Sequence, residues 1–232
     1  KWQQDARYLV NAAGPWVQDI LGEKLRLNVA DSVRLVRGSH LVVKRQYEHD
    51  KAYFFQGKDG RIIFAIPYEQ DFTLIGTTDV DHDAVYTNPI CTDEEQEYLL
   101  KFASEYFKNP ITRDDIIWRY SGVRPLYEDG ANAAASATRD YVLRVDSSSA
   151  PIVTIFGGKI TTYRKLAESA LRKITPFFEL PDKPWTAHTA LPGGDFEVAE
   201  FADLIKKLMQ NYSYLSFEWA RRLIRLYGTE AW

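Results

Sequence analysis

Four β-rich runs crowd into residues 33–78: Val33–Gln46, Ala52–Gln56, Arg61–Pro67 and Phe72–Thr78. Lys58-Asp59-Gly60 separates the second run from the third, a strong hairpin signal. Glu69-Gln70-Asp71 separates the third from the fourth. This pattern predicts an antiparallel meander of about four strands. A helix follows at 92–107. Thr92 is its N-cap, Asp93, Glu94 and Glu95 fill its first turn, and Tyr98, Leu99, Phe102 and Phe107 keep helical spacing. Asn109-Pro110 ends it. Ile116–Tyr127 and Asp140–Val145 read as further strands around the Ala-, Asn- and Ser-rich loop Gly130–Thr138. The fold class is α+β: a mostly antiparallel sheet from 33–78 and 116–146, covered by the 92–107 helix.

The flanks read differently. Arg7–Ala13 is expected as a short buried strand, broken by Gly14 and Pro15. Pro15 then opens a helix through Val17, Ile20 and Leu21, with Gly22 as its stop. Ile152–Phe156 is a continuous apolar strand that ends at Gly157-Gly158. A helix from Thr161 or Thr162 to about Ile174 follows it. Pro176, Pro181, Pro184, Pro192 and Gly193-Gly194 punctuate a linker before helices near 196–210 and 216–227. Phe217, Ala220, Leu223, Ile224 and Tyr227 share one face of the last helix.

Composition excludes several classes. The 29 Lys+Arg against 32 Asp+Glu give a net charge of −3, which argues against nucleic acid as a partner. The single cysteine, Cys91, rules out a disulfide framework and a cysteine-rich metal centre. No metal site is expected. His49, His82 and His188 lack ligand spacing, and Asp79, Asp81 and Asp83 lack the glycine and glutamate of a calcium loop. No run approaches the ~20 apolar residues of a membrane span, and no targeting signal stands out, so the expected location is cytoplasmic. Aromatics form 14% of the chain, six of them Trp, and are expected in the core. The chain starts at Lys1 rather than Met and stops at Trp232 inside a helical pattern, so a segment of a longer protein is expected.

Three segments have chemical potential. In Phe156-Gly-Gly-Lys-Ile-Thr-Thr-Tyr-Arg164 a strand meets a helix through two glycines. Glycines admit close backbone approach, and a helix start offers free N–H groups with a positive partial charge. Lys159 and Arg164 add full charges. The junction suits a phosphate, a carboxylate or the N1–C2=O edge of a reduced flavin; it is equally a glycine-rich turn with a threonine cap. In Tyr120-Ser-Gly-Val-Arg-Pro125, at a strand end, Arg124 offers a bidentate clamp for an anion, or is simply ion-paired. Arg139 is a second such candidate, with Asp140 as its alternative structural partner. In Arg37-Gly-Ser-His40, His40 lies in an apolar strand and has the right ionisation range for proton transfer, although a histidine there is more often structural. Gly76-Thr-Thr-Asp79 reads as an Asx-type turn.

Together these segments resemble the FAD-dependent glycerol-3-phosphate dehydrogenases. The resemblance rests on Val10-Asn-Ala-Ala-Gly-Pro-Trp16, Arg34-Leu-Val-Arg-Gly-Ser-His40, Phe64-Ala-Ile-Pro67, Ile75-Gly-Thr-Thr-Asp79, Tyr120-Ser-Gly-Val-Arg-Pro125 and Gly157-Gly-Lys-Ile-Thr-Thr-Tyr-Arg164, in the family's order. The family's GxGxxG fingerprint, which holds the FAD pyrophosphate, does not occur in the chain. The resemblance therefore implies an incomplete flavin domain: residues 1–32 as a returning segment, 33–146 as a substrate-binding cap, and 147–178 as a closing segment. A linker at 179–194 and the start of a helical domain at 195–232 complete the expected organisation.

The implied reaction oxidises sn-glycerol 3-phosphate to dihydroxyacetone phosphate, with hydride passing to FAD and electrons on to a membrane quinone. The resemblance makes His40 and Arg124 catalytic candidates, with His40 a base or a substrate-positioning group. His40, Arg124, Arg139 and Lys159 become substrate binders. Ala13, Gly14, Trp16, Gly158, Lys159, Thr161 and Thr162 are placed near the flavin. It also implies peripheral membrane contact of the whole enzyme and leaves room for a homodimer. This stretch by itself is expected to lack FAD and activity. A glycerol-3-phosphate oxidase using oxygen and a non-catalytic domain that binds phosphate ligands are the alternatives.

Overall fold

In the computed structural model, residues 2–58, 60–83, 85–130, 137–179 and 183–232 are described. Asp59 of the hairpin signal, most of the 130–138 loop and Pro181 of the linker lie outside them. The chain divides into two compact units, Lys1–Phe178 and Glu179–Trp232.

The first unit contains two sheets. The larger comprises β2 (Val33–Lys44), β3 (Tyr53–Gln56), β4 (Ile62–Tyr68), β5 (Phe72–Gly76), β6 (Val80–Asp81) and β7 (Ile116–Tyr127). β3, β4 and β5 form the expected meander, with Phe55 opposite Ile63 and Ala65 opposite Ile75. The first run does not join it in sequence order. β2 skips β3 and pairs with β5, Leu41 opposite Ile75. The connection after β2 is tied down elsewhere: Arg45 donates to the carbonyls of Tyr47 and Gln70, and Tyr47 Oη donates to the Ala65 carbonyl. β2 is the spine of this sheet, because β7 runs antiparallel along its other side from Val33↔Tyr127 to Val43↔Ile116.

Alternation along β2 sorts its residues between two faces. Leu41 and Val43 join Phe55, Ile63, Ala65 and Ile75 in a core against Leu99, Leu100, Phe102 and Ala103 of α2 (Asp93–Ser104). Thr92 and Glu95 form a reciprocal capping box that fixes where α2 starts. The helix stops at Ser104, earlier than the expected 107, and Phe107 still packs on the core.

The smaller sheet has the order β1-β9-β8, from Leu9–Asn11, Ile152–Gly157 and Tyr141–Asp146. β1 runs parallel to β9, and the large sheet, which lies between them in sequence, is an excursion from this layer. The expected single sheet over 33–78 and 116–146 is thus corrected at its end: β8 pairs with β9, Val142 opposite Phe156. The expected buried strand at 7–13 is an edge, with Asn11 buried and Leu9 and Val10 exposed. Gly22 does not stop the first helical stretch. Turns over Gly14–Trp16 and α1 (Val17–Asp19) run on through a wide turn at Ile20–Lys24, in which Leu21 packs with Phe156 and Val17 in the core. After β9 the chain turns through Ile160–Thr162 into α3 (Tyr163–Ile174).

In the second unit, α4 (Phe201–Asn211) and α5 (Phe217–Tyr227) bury Ile205 and Leu208 against Ala220 and Ile224. Phe217 and Tyr227, expected on the apolar face, are exposed. All six tryptophans (Trp2, Trp16, Trp118, Trp185, Trp219 and Trp232) are exposed too, against the expectation of core positions. The aromatics that do enter the cores are phenylalanines, Phe55, Phe102 and Phe156, among aliphatic side chains.

Candidate functional site

His40, Gly38 and Val36 project from the face of the large sheet opposite α2, and β7 places Tyr120, Gly122 and Arg124 beside them on that face. Two glycines make room here. A side chain at Gly76, opposite His40, would strike the imidazole, and one at Gly38 would strike the Arg124 guanidinium. Both functional groups therefore lie flat over a neighbouring glycine. The His40 ring also stacks on Tyr120, with centroids 5.0 Å apart and planes 9° apart.

Arg124 is inside β7 rather than at its end. Its Nη1 donates to Asp79 Oδ1 at 2.9 Å and to the Thr78 carbonyl at 3.3 Å; its Nη2 donates to Thr77 Oγ1 at 2.8 Å. Arg139 reaches the same carboxylate, with Nη2 3.4 Å from both Asp79 oxygens. The alternative partner Asp140 is thus replaced by Asp79. Two guanidinium groups around one carboxylate leave a net positive charge, and Arg124 keeps N–H donors beyond the three it uses. Burial, and then the charge of Arg139, lower the pKa of Arg124, while Asp79 opposes this.

Burial, followed by the Arg124 charge, pushes the His40 pKa down to about 4. The imidazole is accordingly neutral near pH 7, and its buried Nδ1 has no hydrogen-bond partner. That orphaned atom is the kind of group a bound molecule satisfies. The depressed value also has a stability consequence. Unfolded chains protonate this histidine near 6.5 and the folded site near 4, so stability present above pH 6.5 falls as pH drops toward 4. We expect His40→Gln to remove roughly 2 kcal/mol of that loss in urea unfolding at pH 7 and pH 4.5. Identical pH slopes in both proteins would disprove it.

The loop holding Arg124 exists because β5 and β6 share one side of β2. Gly76 pairs with His40 and Val80 with Arg37, and residues 77–79 bow out between them. There the Ser39 N–H, lacking a strand partner, donates to Thr78 Oγ1 at 2.9 Å. Thr78 Oγ1 in turn donates to Glu95 Oε1 at 2.7 Å on the α2 side. Burial pushes the Glu95 carboxyl up, but bonds from Thr78, the Thr92 N–H and Ser39 and the Arg37 charge outweigh it, and its pKa lies below the ordinary range.

The second group of expected residues stands apart. Gly157 and Gly158 adopt φ of +71° and +96°, open to glycine but strained for other residues. Lys159 and Thr161 are exposed at the start of the helical stretch, and no threonine side chain caps it. Thr162 Oγ1 donates to the Lys159 carbonyl instead. Lys159, Thr161 and Thr162 share no hydrogen bond or ion pair with the His40–Arg124 cluster among the described residues. Gly14, at φ +56°, faces Pro125 Cγ with 3.9 Å to a notional side chain. Ala13 and exposed Trp16 close the same turn, braced by Asn11, whose side chain donates to the Val17 carbonyl and accepts from the Ala13 N–H. Uncapped N–H groups, a lysine and glycine backbones fit the electron-rich end of a flavin ring. The GxGxxG fingerprint of a pyrophosphate cradle does not occur in the sequence.

Sequence reasoning missed Asp79 as the hub of the arginine pair, and with it Thr77, Thr78 and Glu95. Asp79 is visible in the sequence only as part of a turn, and no local pattern links it to Arg124, 45 residues away. No group of three or more metal-ligating side chains occurs among the described residues, and among them no helix is long and apolar enough to cross a membrane.

Comparison with known proteins places these features. The family model for FAD dependent oxidoreductases matches residues 2–164. The aerobic glycerol-3-phosphate dehydrogenase of Escherichia coli is 41% identical over 100% of this chain and 46% of its own length. A D-erythritol 1-phosphate dehydrogenase of Brucella abortus is 38% identical over 96% of this chain and 45% of its own length. The crystal structure of glycerol-3-phosphate dehydrogenase from Bacillus halodurans complexed with FAD superposes with a TM-score of 0.80 at 32% identity, covering 97% of this chain and 44% of that one. The chain spans just under half the length of the curated relatives it matches. With the family model covering most of its length and the same fold in an FAD-bound relative, the chain belongs to the FAD-dependent oxidoreductase family.

Proposed function

We propose that this chain is the substrate-binding part of a flavoenzyme that oxidises sn-glycerol 3-phosphate to dihydroxyacetone phosphate. The observation that supports this most is the pairing, on one sheet face, of a neutral imidazole with an unpartnered Nδ1 and an arginine pair of net positive charge. A phosphorylated secondary alcohol needs both. Arg124 and Arg139 hold the phosphate, which competes with Asp79 for their donors. His40 accepts the hydroxyl proton, or holds the hydroxyl, as C2 is oxidised. FAD supplies the hydride acceptor, and a membrane quinone takes the electrons onward. Lys159 and the uncapped start of the Ile160–Thr162 turn stabilise negative charge that develops beside them. Ala13, Gly14, Trp16, Gly158, Thr161 and Thr162 line the flavin side. Residues 33–127 act as the cap, and the small sheet with its flanking helices acts as part of the flavin domain.

The Brucella relative gives a specific second reading, a longer polyol phosphate such as D-erythritol 1-phosphate. The test is anaerobic mixing of the complete enzyme with each substrate. Glycerol 3-phosphate is expected to bleach the oxidised flavin absorbance and yield dihydroxyacetone phosphate with the highest kcat/KM. Unphosphorylated glycerol reacting equally well would defeat the proposal, and faster bleaching by D-erythritol 1-phosphate would transfer it to the second reading.

A further inference from the structure

Glu95 lies on the α2 side of the large sheet, away from His40, and the reaction proposed for the His40–Arg124 face gives it no task. A capping box alone does not explain its position. Oε2 serves the cap, accepting from the Thr92 N–H at 3.1 Å, and pairs with Arg37 Nη2 at 3.1 Å. Oε1 turns toward the sheet and accepts from Ser39 Oγ at 2.9 Å and from Thr78 Oγ1 at 2.7 Å. Because the Ser39 hydroxyl spends its proton on Glu95, Ser121 Oγ, 2.7 Å away, donates to it. Glu95, Ser39 and Thr78 are all buried.

Thr78 is where the two faces meet. Its hydroxyl is bonded to Glu95 and to the Ser39 N–H on one side, while its carbonyl accepts from Arg124 on the other. The residues on either side of it, Thr77 and Asp79, supply the remaining Arg124 acceptors. Among the described residues the loop has no other ladder partner on β2 between Gly76 and Val80. A carboxylate buried behind the sheet therefore pins the three residues that aim the guanidinium in front of it.

We propose that Glu95, acting through the Thr78 hydroxyl, is a positioning residue for the Arg124 anion clamp, an inference that rests on Arg124 binding the substrate phosphate. The bonds run in series from the carboxylate to the hydroxyl to the loop to the guanidinium. Losing the middle one leaves Arg124 charged but free to follow Asp79 out of register. Phosphate binding weakens, whereas the imidazole, held by Gly76 and Tyr120, stays in place.

The test uses the complete enzyme. Thr78→Val keeps the side-chain shape and removes the hydroxyl. We expect about a tenfold rise in KM for glycerol 3-phosphate and in the inhibition constant of inorganic phosphate, with kcat within about twofold. Thr78→Ser restores both constants. Added to Arg124→Ala, Thr78→Val raises KM no further, because the clamp it aims is gone. Should Thr78→Val fail to fold, Glu95→Gln reads the same link through an expected rise of about threefold. A KM rise for Arg124→Ala with unchanged KM in the folded Thr78 and Glu95 variants overturns the inference alone. So does a Thr78→Val effect that is undiminished in the Arg124→Ala background. An unchanged KM for Arg124→Ala itself removes the phosphate-clamp reading, and the inference with it.

Discussion

Arg124→Ala in the complete enzyme is expected to raise KM for glycerol 3-phosphate by about 100-fold, with a smaller fall in kcat. Charge-assisted bonds are the strong ones, and a bidentate guanidinium contributes several at once. Here the loss is compounded. Removing Arg124 leaves Asp79 with Arg139 alone, at contacts of 3.4 Å, and the cluster falls from net positive to neutral. The incoming dianion then meets a carboxylate whose charge is no longer outweighed. Arg124→Lys restores the charge without the fork that reaches Asp79, Thr77 and Thr78 together, so it is expected to recover only part of the loss. Steady-state kinetics with glycerol 3-phosphate as the varied substrate decide the matter, and a KM within about twofold of the parent would refute the clamp.

His40→Gln carries the second large expectation: turnover falls by about 100-fold or more while flavin content is unchanged. The pH dependence adds a signature that simple misfolding lacks. With its pKa near 4, the free imidazole is deprotonated at neutral pH but is a weak base. The Arg124 charge contributes to that depression. A bound phosphate dianion offsets the charge, so the histidine pKa rises in the substrate complex. The acidic limb of the kcat profile should therefore lie at higher pH than that of kcat/KM, and His40→Gln should abolish the shift. Coincident limbs in the parent enzyme would count against His40 as the base.

Local devices are legible in the amino-acid sequence. Ile116–Tyr127 can be bounded as observed because apolar and β-branched residues run to the turn-forming stretch at 128–130. The start of α2 is legible because a capping box lies within a few consecutive residues. His40 and Arg124 stand out through their glycine neighbours. What stays hidden is non-local. β2 bypasses β3 to reach β5, and β8 leaves the large sheet for β9; both depend on which strand edge is free, which periodicity along one segment does not encode. The same holds for Asp79. Its role comes from a gap between two strands that share one neighbour, and the sequence shows only a Thr-Thr-Asp turn. The exposed tryptophans mislead because composition reports how much aromatic surface exists and not where it goes.

The two-residue alternation of β2 has an evolutionary consequence. Gly38 and His40 face the candidate site while Arg37, Ser39 and Leu41 face α2, and β7 matches them one for one from Val33 to Val42. Inserting or deleting one residue within Val33–His40 would exchange the two sets along the rest of the strand, putting the imidazole among buried aliphatics. Lineages that diverge in substrate can thus exchange side chains on this strand where its packing leaves space, but its length is closed to them. Their gains and losses of residues should collect in the connections after Lys44 and Tyr127, where no alternation has to be preserved.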